Sequence, residues 1–175
     1  MKIYLVGYPC CGKSTIGKKL ANRLNYKFLD LDSLFEAKFN TSIESFMERF
    51  GENDFRIIEH ELLKYCSSSP LYENTVIATG GGTPCFFDNM QIINNSGLSI
   101  FLDISWYFII KRLENAKKQR PLFAGIAKED LKPFVKKQLE ERKEFYTKSS
   151  LTYNVKKSNI DDLILEVKKI LENAE

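Results

Sequence analysis

The chain has 175 residues, of which 43% are hydrophobic and 28% charged, and a formal net charge of +3. These values fit one soluble globular domain with a substantial core. The small net charge does not by itself indicate nucleic-acid binding, and no apolar run approaches the length of a membrane span. The four cysteines and single histidine lack the spacing of a zinc site. The chain opens into an apolar strand rather than a signal peptide, so we expect a cytoplasmic protein with reduced thiols.

The first predicted strand, residues 2–6, leads into a phosphate-binding loop. Residues 7–15 read GYPCCGKST, which fits the pattern G-x-x-x-x-G-K-[ST] between a strand and a helix. The two glycines let backbone N–H groups face phosphate oxygens, Lys13 can reach the β- and γ-phosphates, and the Ser14 hydroxyl can ligate Mg²⁺. The alternative is a glycine-rich turn without a ligand. We predict nucleoside triphosphate binding by Gly7, Cys10, Cys11, Gly12, Lys13, Ser14 and Thr15.

Two aspartates close the second predicted strand, residues 27–31. Because side chains alternate along a strand, Asp30 and Asp32 should point to the same side at its carboxyl end. One carboxylate can help to hold hydrated Mg²⁺, and the other can orient a substrate hydroxyl and accept its proton. The alternative, for Asp32 above all, is an N-cap of the helix predicted at 33–39.

An arginine and a glutamate stand three residues apart in the helix predicted at 53–66. Arg56 and Glu59 are therefore neighbours on one helix face. They can form an exposed ion pair that contributes little to stability. The apolar residues around them instead favour an arginine beside a partly buried surface, shaped to clamp a substrate carboxylate through two hydrogen bonds.

Three consecutive glycines follow the third predicted strand, residues 75–79. Five of the nine glycines of the chain lie at the ends of two strands. A flexible turn is the alternative, but this concentration favours a pocket lined by backbone. The five are Gly7, Gly12, Gly80, Gly81 and Gly82.

The rest of the chain continues to alternate strands with helices, which predicts an α/β fold with a parallel sheet. Residues 111–148 hold twelve lysines and arginines against six acids, mostly as solvated helix faces. The helical pattern breaks at residues 117–123, where we predict a lid loop that carries Arg120. The other predicted strands are 98–102 and 151–155, and the other predicted helices are 13–24, 43–50, 86–95, 105–117, 129–147 and 160–173.

These motifs together resemble the shikimate kinase family. They occur in the family's order from Gly7 to Tyr146: the phosphate loop, F-x-D-x-D, G-E-x-x-F-R-x-x-E, G-G-G, R-P-L and R-x-x-x-Y. The resemblance implies a three-layer P-loop kinase core with a five-stranded parallel sheet flanked by helices. It also implies a helical substrate-binding segment at about 32–62 and a lid at about 112–126. The implied reaction transfers the γ-phosphoryl group of ATP to the 3-hydroxyl of shikimate, with Mg²⁺ as cofactor.

The resemblance also implies a role for each matching residue. The implied catalytic residues are Asp32 as base, Lys13 and the lid residue Arg120. Besides the phosphate loop, the implied ATP contacts are Arg112 at the adenine and Arg120 at the phosphates. The implied metal site is Ser14 with Asp30. The implied shikimate contacts are Asp32, Arg56, Glu59 as the partner of Arg56, Gly80, Gly81, Gly82 and Arg142.

Three positions depart from the family pattern. Cys10 stands where the family usually carries glycine; a Cβ there can strain the turn, and an exposed Cys10 or Cys11 can make ATP binding sensitive to thiol oxidation, a question that the sequence leaves open. Two small residues that simply fit are the alternative. Met47 replaces an expected phenylalanine and can fill the same apolar wall. Arg112 lies one residue further from Arg120 than the family spacing.

Other functions remain as alternatives at this point. The nearest is a related kinase for another small acceptor, such as gluconate or a nucleotide, although such kinases lack the joint motif pattern. A non-catalytic ATP-binding regulator should have lost a catalytic residue, and none is missing here. A nucleic-acid-binding module should offer an aromatic stacking platform, which we do not find. We expect no nucleic-acid or membrane partner, and a monomer, because no apolar stripe is left over.

Overall fold

The computed structural model describes residues 1–114, 123 and 126–173. Most of the predicted lid, with Arg120, lies outside the described residues. Five strands alternate with helices, as the sequence predicts. The strands are β1 (Lys2–Val6), β2 (Lys27–Asp30), β3 (Thr75–Ala78), β4 (Gly97–Asp103) and β5 (Leu151–Asn154). The helices within the described residues are α1 (Lys13–Leu24), α2 (Leu31–Phe39), α3 (Ile43–Phe50), α4 (Glu52–Ser68), α5 (Asn89–Ser96), α6 (Trp106–Glu114), α7 (Lys128–Tyr146) and α8 (Ile160–Glu172).

All five strands are parallel and pair in the order β2-β3-β1-β4-β5. Tyr4 of the central strand is in register with Ile77 on one side and Ser99 on the other. Every residue of β1 is buried, and its residues after Lys2 form a continuous apolar run, because a parallel sheet is covered on both faces. The connection after β1 leads to β2 on one side of the sheet, whereas the connection after β4 leads to β5 on the other side. In an open parallel sheet, ligands bind where the strand order reverses in this way, here at the carboxyl end of β1. The predicted α/β sheet is confirmed.

Helices α2, α3 and α4 pack around a second, smaller apolar cluster. Phe35 is its centre, and its ring makes edge-on contacts with Phe46 and Phe55, with 5.1 Å between centroids in both cases. Met47 packs against the same cluster, as expected for a residue that fills the place of a phenylalanine. This cluster supports the substrate-binding segment that we predict at about 32–62.

Several element boundaries differ from the predictions by one to three residues, and two of these differences bear on the site. Strand β2 ends at Asp30, and α2 begins at Leu31 rather than at residue 33. The helix predicted at 86–95 covers Asn89–Ser96, and a short 3₁₀ turn, Thr83–Cys85, precedes it. Phe87 separates the two with a left-handed φ of 50°, which a continuous helix does not allow. None of the helices in the described part of the chain is both long and apolar enough to cross a membrane.

Candidate active site

Two cationic side chains donate hydrogen bonds to backbone carbonyls of the phosphate loop. Lys13 Nζ donates to the carbonyl oxygens of Gly7 at 2.7 Å and Tyr8 at 3.2 Å. Arg112 Nη1, from α6, donates to the carbonyl oxygens of Cys10 and Cys11, both at 2.7 Å. These bonds bring two of the three predicted nucleotide-binding cations, Lys13 and Arg112, onto the loop at the start of α1, where the helix N-terminus favours an anion.

Cys10 has a φ of 65°, in the left-handed region. A residue with a Cβ is strained there by about 1–2 kcal/mol relative to the right-handed region, whereas glycine is not. The turn therefore has the backbone conformation that suits the family's glycine, as predicted. Cys10 is partly exposed and Cys11 is buried, so an oxidant can reach Cys10 more readily. The sensitivity of the loop to oxidation stays a prediction.

Asp30 caps helix α2 and contacts the phosphate loop. Its Oδ1 accepts from the backbone N–H of Asp32 at 3.2 Å, and its Oδ2 accepts from the Ser14 hydroxyl at 2.7 Å. The capping residue is thus Asp30 and not Asp32. Asp32 lies in the first turn of α2, so strand alternation does not set its direction, and our argument from alternation was wrong.

Arg56 is held between two carboxylates. Its Nη1 donates to Glu59 Oε2 at 2.8 Å, and its Nε and Nη2 donate to Glu52 Oε1 at 3.1 and 2.9 Å. The exposed fractions of the Arg56 and Glu59 side chains are 11% and 6%, so the interpretation as an exposed surface pair is wrong. Burial opposes the charge of the guanidinium, but the two carboxylates outweigh it and raise the pKa of Arg56. The guanidinium also lies 4.3 Å from the ring centroid of Phe86.

The triglycine turn lies against these groups so closely that side chains do not fit. A Cβ on Gly80 would lie 2.7 Å from Glu59 Oε1 and 2.9 Å from Asp32 Oδ1. A Cβ on Gly82 would lie 2.8 Å from Arg56 Nη2, and one on Gly81 would collide with the Pro9 ring. Each distance is too short for a real contact, so the turn needs glycine because of close approach and not flexibility.

Gly80→Ala should lower kcat/KM by at least about 100-fold, because a methyl group there displaces a carboxylate, and an ångström of misplacement can cost that much. The measurement is steady-state kinetics on protein whose folding has been checked by circular dichroism. Gly51→Ala is the control for backbone strain without crowding: φ is +87° there, which a Cβ strains, but that Cβ meets nothing within 4 Å, so stability should fall and kcat/KM should not. Equal activity of Gly80→Ala and wild type would contradict the close approach.

Helix α7 brings Arg142 and Tyr146 to the same region. The Tyr146 hydroxyl donates to the Gly81 carbonyl oxygen at 2.5 Å, and its ring stacks on Phe101 with centroids 5.3 Å apart. Burial raises the pKa of Tyr146 well above its usual value, so this hydroxyl stays protonated. One turn earlier, the Arg142 guanidinium lies 5.6 Å from the ring centroid of Tyr8.

The family model for shikimate kinase matches residues 9–172. The chain belongs to the shikimate kinase family. A shikimate kinase from Parabacteroides distasonis is 38% identical over 174 residues, which cover 97% of this chain and 99% of that protein. The crystal structure of shikimate kinase from Bacteroides thetaiotaomicron superposes with a TM-score of 0.87 at 35% identity and covers 98% of both chains.

A second solved structure is that of shikimate kinase from Acinetobacter baumannii in complex with shikimate. Its TM-score is 0.85 at 27% identity, with 99% of this chain and 94% of that chain covered. The likeness to shikimate kinases therefore extends over nearly the whole chain. These findings favour shikimate kinase over the related kinases and the regulator that the sequence left as alternatives.

Three contacts in this shikimate kinase site were not predicted from the sequence. Glu52 is the second partner of Arg56. It stands four residues before Arg56 on the same helix, and this spacing alone could have predicted the pair. Pro9 packs on Gly81, and Thr83 Oγ1 donates to Glu59 Oε1 at 2.6 Å. The last two contacts join distant parts of the chain, and neither has a signal in the local sequence.

Proposed function

We propose that this chain transfers the γ-phosphoryl group of ATP to the 3-hydroxyl of shikimate, giving shikimate 3-phosphate and ADP. The observation that carries the proposal is the buried Arg56–Glu59 pair against the triglycine turn, with Asp32 beside the same turn. Shikimate is a carboxylate with several hydroxyl groups. It requires a fixed cation for its carboxylate and a hydrogen-bond acceptor for its hydroxyls, and this cluster offers both.

The substrate contacts that we propose divide by chemistry. Arg56 and Arg142 bind the shikimate carboxylate, and Glu59 holds Arg56 in place. Asp32 accepts hydrogen bonds from the hydroxyls. The backbone of Gly80, Gly81 and Gly82 lines the pocket and leaves room for the ring.

On the nucleotide side, we propose that the phosphate loop with Lys13, Ser14 and Thr15 binds the ATP phosphates and that Arg112 contacts the adenine. Arg120, which lies outside the described residues, closes on the phosphates from the lid. Burial of the reacting groups beneath such a lid excludes water and so prevents ATP hydrolysis.

The residues present fit Mg²⁺ as the cofactor. Within the described residues, no cluster of three or more His, Cys, Asp or Glu side chains can hold a metal ion. The Ser14 hydroxyl and the Asp30 carboxylate are hard oxygen ligands that lie 2.7 Å apart beside the phosphate loop. Mg²⁺ is typically bound by one or two such protein ligands together with phosphate oxygens and waters. When bound, it neutralises charge on the β- and γ-phosphates.

In the transfer step, Asp32 orients the 3-hydroxyl and takes its proton as the oxygen attacks the γ-phosphorus. The bond between that phosphorus and the oxygen that links it to the β-phosphate breaks. ADP is the leaving group, and its phosphates stay bound to the loop. Lys13 and Arg120 stabilise the charge on the transferred group. Catalysis here is mainly positioning and charge stabilisation, because no covalent enzyme intermediate is needed.

Arg56→Ala should raise the shikimate KM by about 10- to 100-fold, because a charge-assisted carboxylate contact contributes about 1.5–3 kcal/mol. The ATP KM should change less than about twofold, since Arg56 is on the acceptor side of the site. Arg23→Ala is the matched control, because Arg23 pairs with Asp161 at 2.9 Å on the surface. An unchanged shikimate KM in Arg56→Ala would remove Arg56 from the carboxylate site.

The deciding experiment measures ADP release from MgATP under reducing conditions, with and without shikimate. Gluconate and nucleoside monophosphates serve as parallel acceptors. We expect turnover only with shikimate. Turnover with another acceptor instead would overturn the proposed substrate, and tight ATP binding without turnover would favour a regulator.

We also propose that the protein acts as a cytoplasmic monomer. ATP is a cytoplasmic substrate, and the four cysteines are free thiols, as expected in a reducing compartment. All the acceptor-side residues named above come from one chain, so the site does not require a second copy.

A further inference from the structure

The second oxygen of Glu59 is bound by a residue that no motif contains. Glu59 Oε2 accepts from Arg56, and Glu59 Oε1 accepts from the Thr83 hydroxyl at 2.6 Å. Thr83 has no exposed surface. Both oxygens of the carboxylate are therefore engaged, and its rotation is fixed by a donor on each side.

Thr83 is itself held by a buried polar chain. Asn89 Nδ2 donates to the Thr83 carbonyl oxygen at 2.8 Å, and Asn89 Oδ1 lies 2.6 Å from His60 Nδ1. Because the Asn89 amide nitrogen is used as a donor to Thr83, its oxygen is the acceptor, so His60 Nδ1 carries the proton of this bond. Thr83 and Asn89 have no exposed surface. These bonds hold the backbone of Thr83 in place at the start of the 3₁₀ turn.

Arg56 forms ion pairs with two carboxylates, one buried and one exposed. Glu59 holds it inward, whereas Glu52, whose side chain is 55% exposed, holds it from the solvent side. The inward partner keeps the guanidinium against Gly82. Without the Thr83 donor, Glu59 Oε1 would lose its hydrogen bond in a nearly buried position, and the carboxylate would keep only one of the two bonds that fix its orientation, so it would hold Arg56 less firmly. Glu52 would then draw the guanidinium toward solvent.

We propose that Thr83 is a positioning residue for the substrate carboxylate site. It fixes the Glu59 carboxylate, which in turn keeps Arg56 at the triglycine turn. This inference rests on the proposed function only for the identity of the substrate. The effect on the position of Arg56 is a property of the protein alone and can be measured without any substrate.

The kinetic test compares Thr83→Val with Thr83→Ser. Valine has the shape of threonine without the donor, whereas serine keeps the hydroxyl. Thr83→Val should raise the shikimate KM by about 5- to 20-fold and change kcat by less than about threefold, with the ATP KM unchanged. Thr83→Ser should stay within about twofold of wild type. If Thr83→Val does not fold, Thr83→Ala removes the same donor without adding a methyl group and has the same expected result.

The second measurement follows the reaction of Arg56 with the dicarbonyl reagent phenylglyoxal by peptide mass spectrometry, with Arg23 as the internal standard. Loss of the inward contact should speed Arg56 modification at least about threefold in Thr83→Val, and not in Thr83→Ser. Wild-type values for both KM and modification rate in Thr83→Val would overturn the inference. If wild type shows no turnover with shikimate, the proposed function fails, and the modification rates alone decide the role of Thr83.

Discussion

Asp32→Asn is expected to lower kcat by about a thousandfold, within the range that general bases contribute. Asparagine has almost the same shape, so the turn packing is kept, but its amide cannot take the proton of the attacking hydroxyl. The shikimate KM should change far less than kcat. Steady-state kinetics with saturating MgATP measures both values.

The control for this substitution is Asp54→Asn, which removes an exposed carboxylate from the first turn of α4. It should leave kcat unchanged. Normal turnover in folded Asp32→Asn would show that another group takes the proton. Asp30 is then the next carboxylate to test, because it caps the helix whose first turn contains Asp32.

Lys13→Met is expected to lower kcat/KM for ATP by about a thousandfold. Methionine keeps the long side chain but removes the ammonium group, which is proposed to stabilise charge on the transferred phosphoryl group. The substitution also removes the bonds from Lys13 Nζ to the Gly7 and Tyr8 carbonyls, so we expect weaker ATP binding as well as slower transfer.

Equilibrium binding of ATP together with single-turnover transfer separates these two contributions. Lys18→Met is the matched control, since Lys18 is an exposed residue of the same helix. Its kinetics should match wild type. If Lys13→Met bound and transferred normally, the assignment of the phosphate loop itself would be wrong.

The parts of the fold that the sequence predicted are those with local signals. Each strand is a short run that contains apolar or β-branched residues, and the helix over Ile160–Glu172 has apolar residues at helical spacing with acids early and lysines late. The phosphate loop has a motif in which each residue type has a chemical reason. Arg56 and Glu59 could be paired from their spacing of three residues.

The remainder depends on contacts between distant segments. Thr83 and Glu59 are 24 residues apart, and Tyr146 and Gly81 are 65 apart. No periodicity encodes such pairs. The start of α2 was misplaced for a different reason: Asp30 ends a strand and caps a helix at once, and side-chain alternation alone does not show where the strand stops.

The lengths of the outer strands have a consequence for how this protein behaves at high concentration. The open edges of the sheet are β2 and β5, and each has only four residues. Strand β2 also begins at an exposed lysine, Lys27. A short edge strand offers few free backbone groups for pairing with another chain, and a charged residue on the edge discourages such pairing further. The longest strand, β4, has seven residues and is paired on both sides. Its backbone groups therefore cannot pair with another chain once the protein has folded.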